Sequence, residues 1–466
     1  MKPVHTTIFF PLCIVGAMLS YPTQAKVIHE HPGIWLGDMQ IPKGPKLQFA
    51  VDLFKRADGK SWASISLPAQ NNFDIPVTQV EEKEDQLRLQ FSGKVQMRLK
   101  WVKDHFDAEF QEPGGPALSF SMQKTTAMPK QERPQNPKAP FPYEEEELII
   151  PSKNGVFLSA TLLRPTGVSK PNLAILVHGA GTANRNQSGE GHESFWVLAD
   201  QLTRRGIAVL RYDKRGIARS SGDYDAHTWQ DLSDDVVAIA KHMRKSARFK
   251  KIGAIGHSEG SGIAAVSSAQ HGESLDFIVS MAGVGLPGID MMLLQDHATA
   301  IANGADKLEA EAITQFARKY YGILVEQEDP TKRLAMIKEF LARSMKEKAL
   351  VDKYKMNQGS MALENADKDF MRELLRADRS QDWRKVKVPV LVLNGTLDQQ
   401  VPLESARGIE RSLKQGGNKQ VQLKLLPRLN HLFQTATTGA EGEYSKIEET
   451  MAHVVFENIS AFVRRQ

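Results

Sequence analysis

The sequence predicts an α/β fold: a mostly parallel, doubly wound sheet with a helical cap insertion, preceded by a small all-β domain. Three observations carry this expectation. Beyond residue 144, near-continuous apolar runs alternate with helical patterns, as strands covered on both faces require. Before residue 129, apolar residues recur at every second position around turn pairs such as Asp58-Gly59 and Ser92-Gly93, the pattern of antiparallel hairpins. Between the two lies a stretch of prolines and charges that cannot bury a core.

The elements follow in chain order. Residues 1–25, "MKPVHTTIFFPLCIVGAMLSYPTQA", hold a lysine, an apolar run from Ile8 to Leu19, and Thr23 and Ala25 at a small-x-small position. This pattern is that of a cleavable signal peptide, with a mature chain beginning near Lys26 and a secreted or periplasmic location. The run is shorter than the roughly 18 apolar residues of a retained span, so no stable membrane anchor is expected. Cys13 is the only cysteine, so the mature chain has no thiol, which excludes cysteine nucleophiles, cysteine metal sites and disulfides. Residues 26–128 form the all-β domain and 129–143 the linker. From 144 to 466 the strands are "LAILVHG", "IAVLRYD", "KIGAIGHS", "FIVSMAG" and "VPVLVLNG". Helices intervene, such as "TWQDLSDDVVAIAKHMRK" with Thr228 placed as its cap. Between about 285 and 382, helical and charge-rich residues too numerous for a crossover read as an inserted cap. A net charge of +5, spread over 60 basic and 55 acidic residues, leaves no basic stripe for nucleic acid.

The chemistry centres on "AIGHSEGSG", residues 254–262, where Ser258 stands in Gly256-His257-Ser258-Glu259-Gly260. The pentapeptide alone is a weak signal. An apolar strand pattern leads into it and a small-residue helix pattern follows, which is the strand-turn-helix setting of a nucleophile elbow. Glycine is needed at 256 and 260 because a side chain at either would collide with the neighbouring strand or helix. A serine hydroxyl requires a base. His431, in "LKLLPRLNHLF", combines a late position with a strand-to-loop setting, and Asp398, in "NGTLDQQVP", follows an earlier strand end. The order Ser258, Asp398, His431 is that of one fold in particular. Asp213, at the end of "IAVLRYD", competes for the acid role; its other reading is to fix the "KRG" loop that follows. "LVHGAG" places His178-Gly179-Ala180-Gly181 at a strand end, where backbone amides with that of Glu259 can form an oxyanion hole. A plain glycine-rich turn is the other reading of that stretch.

From about 144 to its end the chain resembles α/β-hydrolases, through "HGAG", "YDKRGIARSSG", "GHSEG", "NGTLDQQVP" and "NHLF". More narrowly it looks like secreted carboxylesterases of the serine hydrolase superfamily that carry a small β domain. The resemblance implies Ser258 as nucleophile, His431 as general base, Asp398 as its orienting acid, and Ala180 and Glu259 as oxyanion amides. It departs at Ala218, where many relatives have glycine in a structural loop.

The expected activity is hydrolysis of carboxylic esters of short to medium acyl chains through an acyl-enzyme, on a small-molecule substrate and without cofactor or metal. H-E-x-x-H and D-x-D-x-D-G patterns are absent from the sequence. Two alternatives stay open: a serine peptidase or aminoacyl amidase of the same fold, and a non-catalytic binding protein. The inserted segment's "MMLL", Met291 to Leu294, is expected to roof the acyl pocket or to pin the cap to the core.

Overall fold

The computed structural model describes residues 26–91, 95–354 and 369–466. The signal-like segment 1–25, the Ser92-Gly93 turn and residues 355–368 of the expected cap lie outside the described residues. Among the described residues no helix is long and apolar enough to cross a membrane.

After a short helix α1 (Lys26–Glu30), eight antiparallel strands close into a barrel: β1 (Gly33–Gln40), β2 (Lys46–Lys55), β3 (Ser61–Leu67), β4 (Asn72–Lys83), β5 (Gln86–Phe91), β6 (Gln96–Val102), β7 (His105–Gln111) and β8 (Leu118–Thr125). Period-two alternation points Leu87, Leu89, Met97, Leu99, Phe106 and Ala108 inward. Closure comes from β1 pairing with β8, and from register shifts on both sides of the long β4 that bend the sheet. A closed barrel has no unpaired edge to template aggregation.

Residues 126–142 carry no regular structure apart from turns, yet they are held down. Arg133 donates to the carbonyls of Gly191 and Ser445, and the Gln135 side chain bonds the backbone of Thr450 and Met451. The glutamate run after Tyr143 belongs to β9 (Tyr143–Pro151), where Glu144 to Glu147 are exposed on the outermost strand of the second sheet, and charge there guards the edge.

That sheet continues with β10 (Phe157–Pro165), β11 (Leu173–Val177), a two-stranded ladder of β12 (Ser188–Gly189) and β13 (His192–Glu193), α2 (Ser194–Thr203), β14 (Ala208–Tyr212), α3 (Trp229–Lys245), β15 (Ile252–His257), α4 (Glu259–Gln270) and β16 (Ile278–Met281). The five strands expected from apolar runs all form, the fifth being β17 (Val390–Gly395). Thr228 caps α3 through a reciprocal box with Asp231. Strand order is β18-β17-β16-β15-β11-β14-β10-β9, with β18 (Val421–Leu426) at one edge. β11 and β14 to β18 pair in parallel, while β9 and β10 join antiparallel.

The cap leaves the sheet after β16 as α5 (Gly288–Ala302), α6 (Lys307–Glu326), α7 (Pro330–Arg343), α8 (Met345–Lys353) and α9 (Asp369–Arg376), around its own core of Ile313, Phe316, Tyr320 and Tyr321. Next, α10 (Arg379–Lys385) packs on α4 and on α11 (Leu403–Gln415), anchored by the buried Trp383, whose Nε1 donates to the Val284 carbonyl at 2.9 Å. The chain ends in α12 (His453–Val463) against α2.

The barrel docks on loops that follow parallel strands. Arg219, after β14, pairs with Asp52 at 3.1 Å, lies over the Phe54 ring and accepts from the Ala57 amide at its carbonyl. Asn184, after β11, donates to Asp74 at 2.7 Å. The loop after β11 also walls the site described next.

Candidate functional site

Ser258 sits between β15 and α4 at φ 54° and ψ −120°, strained for a residue other than glycine. The local sequence makes this turn possible. A Cβ on Gly256 would stand 2.3 Å from the Gly260 carbonyl oxygen, and one on Gly260 only 2.1 Å from that of Val177 on β11. The Ser258 amide donates to Met281 at 2.8 Å, tying the elbow to β16. Its side chain is half-buried and opens into two cavities.

His431 and Asp398 meet across the loops after β18 and β17. Both Asp398 carboxylate oxygens lie 3.0 Å from His431 Nδ1, and the carboxylate has no exposed side-chain surface. Its Oδ1 also accepts from the amides of Gln400 at 3.0 Å and Val401 at 2.8 Å. An ionised carboxylate only accepts, so Nδ1 carries the proton and Nε2 is left as an acceptor. His431 and Ser258 line one cavity without a hydrogen bond between them in this conformation. Such pairs are often loose before substrate enters.

Ala180, Ser258 and Glu259 line a shared pocket, and the Ala180 and Glu259 amides bond to no acceptor among the described residues. A donor pair is therefore free beside the hydroxyl, at the N-terminus of α4, where the helix dipole favours negative charge. Asp213 is placed elsewhere: it binds Arg185 at 2.8 Å and accepts from the Arg185 and Arg219 amides. Burial pushes its pKa up, but the Arg185 charge and these hydrogen bonds outweigh burial and hold it below the usual carboxylate value. It fixes the loop, as its second reading expected, and does not touch His431.

Two further contributors were not singled out from the sequence. Lys214, 2% exposed, donates to the carbonyls of Gly179 at 2.7 Å and Gly181 at 3.2 Å, and pairs with Glu259 at 3.3 Å. It ties the carbonyls of the "HGAG" loop to the residue that carries the second free amide. His257 donates from Nε2 to the His431 carbonyl at 3.0 Å and accepts at Nδ1 from Gln187, whose other amide atom accepts from Gly179. Burial drives the His257 pKa down to about 3, so it serves as a neutral strut. Adjacency to known motifs, Lys214 in "YDKRG" and His257 in "GHSEG", was the only signal for either.

Lys214→Met is expected to lower kcat by about 10- to 100-fold and stability by about 3–5 kcal/mol, because Glu259 is left buried and unpaired. Adding Glu259→Gln should restore the melting temperature without restoring turnover. Recovery of turnover in the double variant would show that Lys214 acts only through stability.

The two cavities differ. One, of about 150 Å³, lies under the cap, with Val284, Leu286, Met291 and Met292 in its wall. Leu294, expected beside them, does not line it, because Met291 and Met292 present one face of α5 to the site and Leu294 falls on another. Trp229 and Arg379 also line this pocket; Trp229 Nε1 and Arg379 Nε are buried and have no partner among the described residues. The other cavity, about 290 Å³, is polar, with Gln187, Ser188, Glu190, His431, Glu441 and Tyr444 around Ser258.

The family model for serine aminopeptidase S33 (Hydrolase_4) matches residues 175–435, more than half of the chain and the span from β11 to beyond His431. The non-heme chloroperoxidase of Burkholderia pyrrocinia is 24% identical over 243 residues, 49% of this chain and 77% of its own. Among solved structures, Est1E from Butyrivibrio proteoclasticus covers 68% of this chain and 98% of its own at 17% identity and a TM-score of 0.42. The Pyrococcus furiosus esterase Pf2001 covers 69% and 91% at 16% identity and a TM-score of 0.41. The family match spans the elbow and the loops after β17 and β18, and the chain belongs to the serine aminopeptidase S33 family of α/β-hydrolases.

Proposed function

We propose that the protein hydrolyses carboxylic esters of short to medium acyl chains through an acyl-enzyme. The observation that supports this best is that the strained Ser258 stands where two cavities meet, one lined by His431, which pairs with Asp398, and the other by Ala180 and Glu259 with their free amides. Ser258 Oγ attacks the acyl carbon while His431 Nε2 takes its proton, and the Ala180 and Glu259 amides hold the oxyanion. Collapse breaks the acyl–oxygen bond, and His431 returns the proton to the departing alcohol. Water then attacks the acyl-enzyme with His431 again as base, which frees the acid and Ser258.

The apolar pocket under the cap suits the acyl group and its small volume favours short chains. Leaving groups face the polar cavity. Alanine at Met291 and Met292 together is expected to move the optimum of kcat/KM by two or more carbons towards longer acyl chains, measured on p-nitrophenyl esters of graded length. An unchanged optimum with a lowered melting temperature would leave these residues as cap packing alone. A wild-type profile rising steadily to long chains would overturn the short-chain reading.

Glu190 and Glu441 favour a second reading, since two carboxylates in the leaving-group cavity could hold a substrate ammonium. Turnover of aminoacyl p-nitroanilides above that of p-nitrophenyl butyrate would establish an amidase instead.

A further inference from the structure

The barrel is closed at one end and open at the other. At the closed end α1 inserts the buried Val27 and Ile28, His31 stacks on Trp101 at 3.7 Å, and Trp35 and Phe106 fill the interior. Towards the other end the inward side chains stop short of the axis and leave a cavity of about 710 Å³, walled by Met39, Leu47, Phe49, Ile65, Phe110 and Leu118. Eight-stranded barrels are just wide enough either to be filled by side chains or to hold one small ligand, and this one does the first at one end only. The volume is that of a site for a single small molecule.

The mouth opens against the catalytic domain, whose Thr182, Tyr224 and Asp225 complete its wall. Thr182 also walls the polar cavity that holds Ser258 and His431. The polar rim consists of Asn72, Glu112, Asp225 and Thr182, among which are two exposed carboxylates and no cation.

We propose that the barrel interior is a binding site for one uncharged aliphatic chain with a hydrogen-bonding head, such as a long-chain alcohol, with its tail among the inward apolar residues and its head at the rim. Apolar burial provides the affinity, and Glu112 and Asp225 discriminate against a fatty-acid anion by like-charge repulsion. The site is separate from the pocket under the cap and does not depend on which bond the enzyme cleaves.

The test uses the full-length mature protein carrying Ser258→Ala and a neutral fluorescent probe, N-phenyl-1-naphthylamine, at low ionic strength. One saturable site per chain is expected, with 1-dodecanol displacing the probe at least fivefold better than dodecanoate. Leu118→Trp, which fills the cavity, should weaken probe binding at least tenfold, with folding checked by circular dichroism. The exposed pair Glu112→Gln and Asp225→Asn should narrow the dodecanol preference to less than twofold. Absence of saturable binding, or binding untouched by Leu118→Trp in a folded protein, would overturn the site. Equal displacement by alcohol and acid in the parent protein would overturn the assignment of the ligand. Because the readout is binding and not turnover, the outcome stands apart from the ester reading.

Discussion

Ser258→Ala is expected to lower kcat for p-nitrophenyl butyrate by about 10⁶-fold, the scale on which a triad without its nucleophile fails. The residue already sits at a positive φ as a side-chain-bearing amino acid, so alanine adds no backbone strain, and its amide bond to Met281 does not involve the hydroxyl. The melting temperature should therefore change by less than the error of the measurement, and labelling by a fluorophosphonate should vanish. The Ala180 and Glu259 amides remain, so residual binding of substrate is compatible with the result. Retained labelling, or a kcat within tenfold of the parent, would mean that another group is the nucleophile.

For Asp398→Asn the expected loss is about 10⁴-fold in kcat. The direction follows from the hydrogen bonds on the carboxylate. Oδ1 accepts from the amides of Gln400 and Val401, so the amide oxygen of asparagine stays there and its NH₂ takes the place of Oδ2, 3.0 Å from His431 Nδ1. That NH₂ is a donor. It forces Nδ1 to accept and moves the imidazole proton to Nε2, where His431 can no longer take the serine proton. Asp213→Asn is the control: it removes the charge of one of the two carboxylates that pair with the half-buried Arg185 and should cost stability, with kcat falling far less. A larger loss of kcat in Asp213→Asn than in Asp398→Asn, at equal stability, would reverse the assignment of the acid.

Much of the site was legible because its requirements are local. The elbow demands glycine where the chain passes within 2.1–2.3 Å of a would-be Cβ, and both glycines stand in the pentapeptide with their strand and helix on either side. Asp398 and His431 were legible for a related reason: Asp398 follows an apolar run buried on the sheet and His431 follows the strand-like segment at its edge, and a parallel sheet brings the ends of such strands together. Period-two alternation from Lys46 to Thr125 likewise determined hairpins, since side chains in a strand must alternate between two faces.

Other features depend on contacts between residues far apart in the chain. Hairpins do not declare whether they close, and closure here rests on β1 meeting β8 and on shifts of register beside β4. The glutamates after Tyr143 open the hydrolase domain with no apolar run to mark a strand; charge is what an edge strand exposes, and only pairing with β10 places them on one. Lys214 looked like part of a loop; its ammonium gains meaning because folding brings Gly179, Gly181 and Glu259 around it, where a buried cation must find oxygen partners. The sequence by itself determined the layers, the elbow and the identity of the Asp398–His431 pair, through local sterics and apolar periodicity. Tertiary structure alone decided the barrel's closure, its open mouth beside Thr182, and which methionines of α5 line the pocket under the cap, because burial on one face or another is set by what packs there.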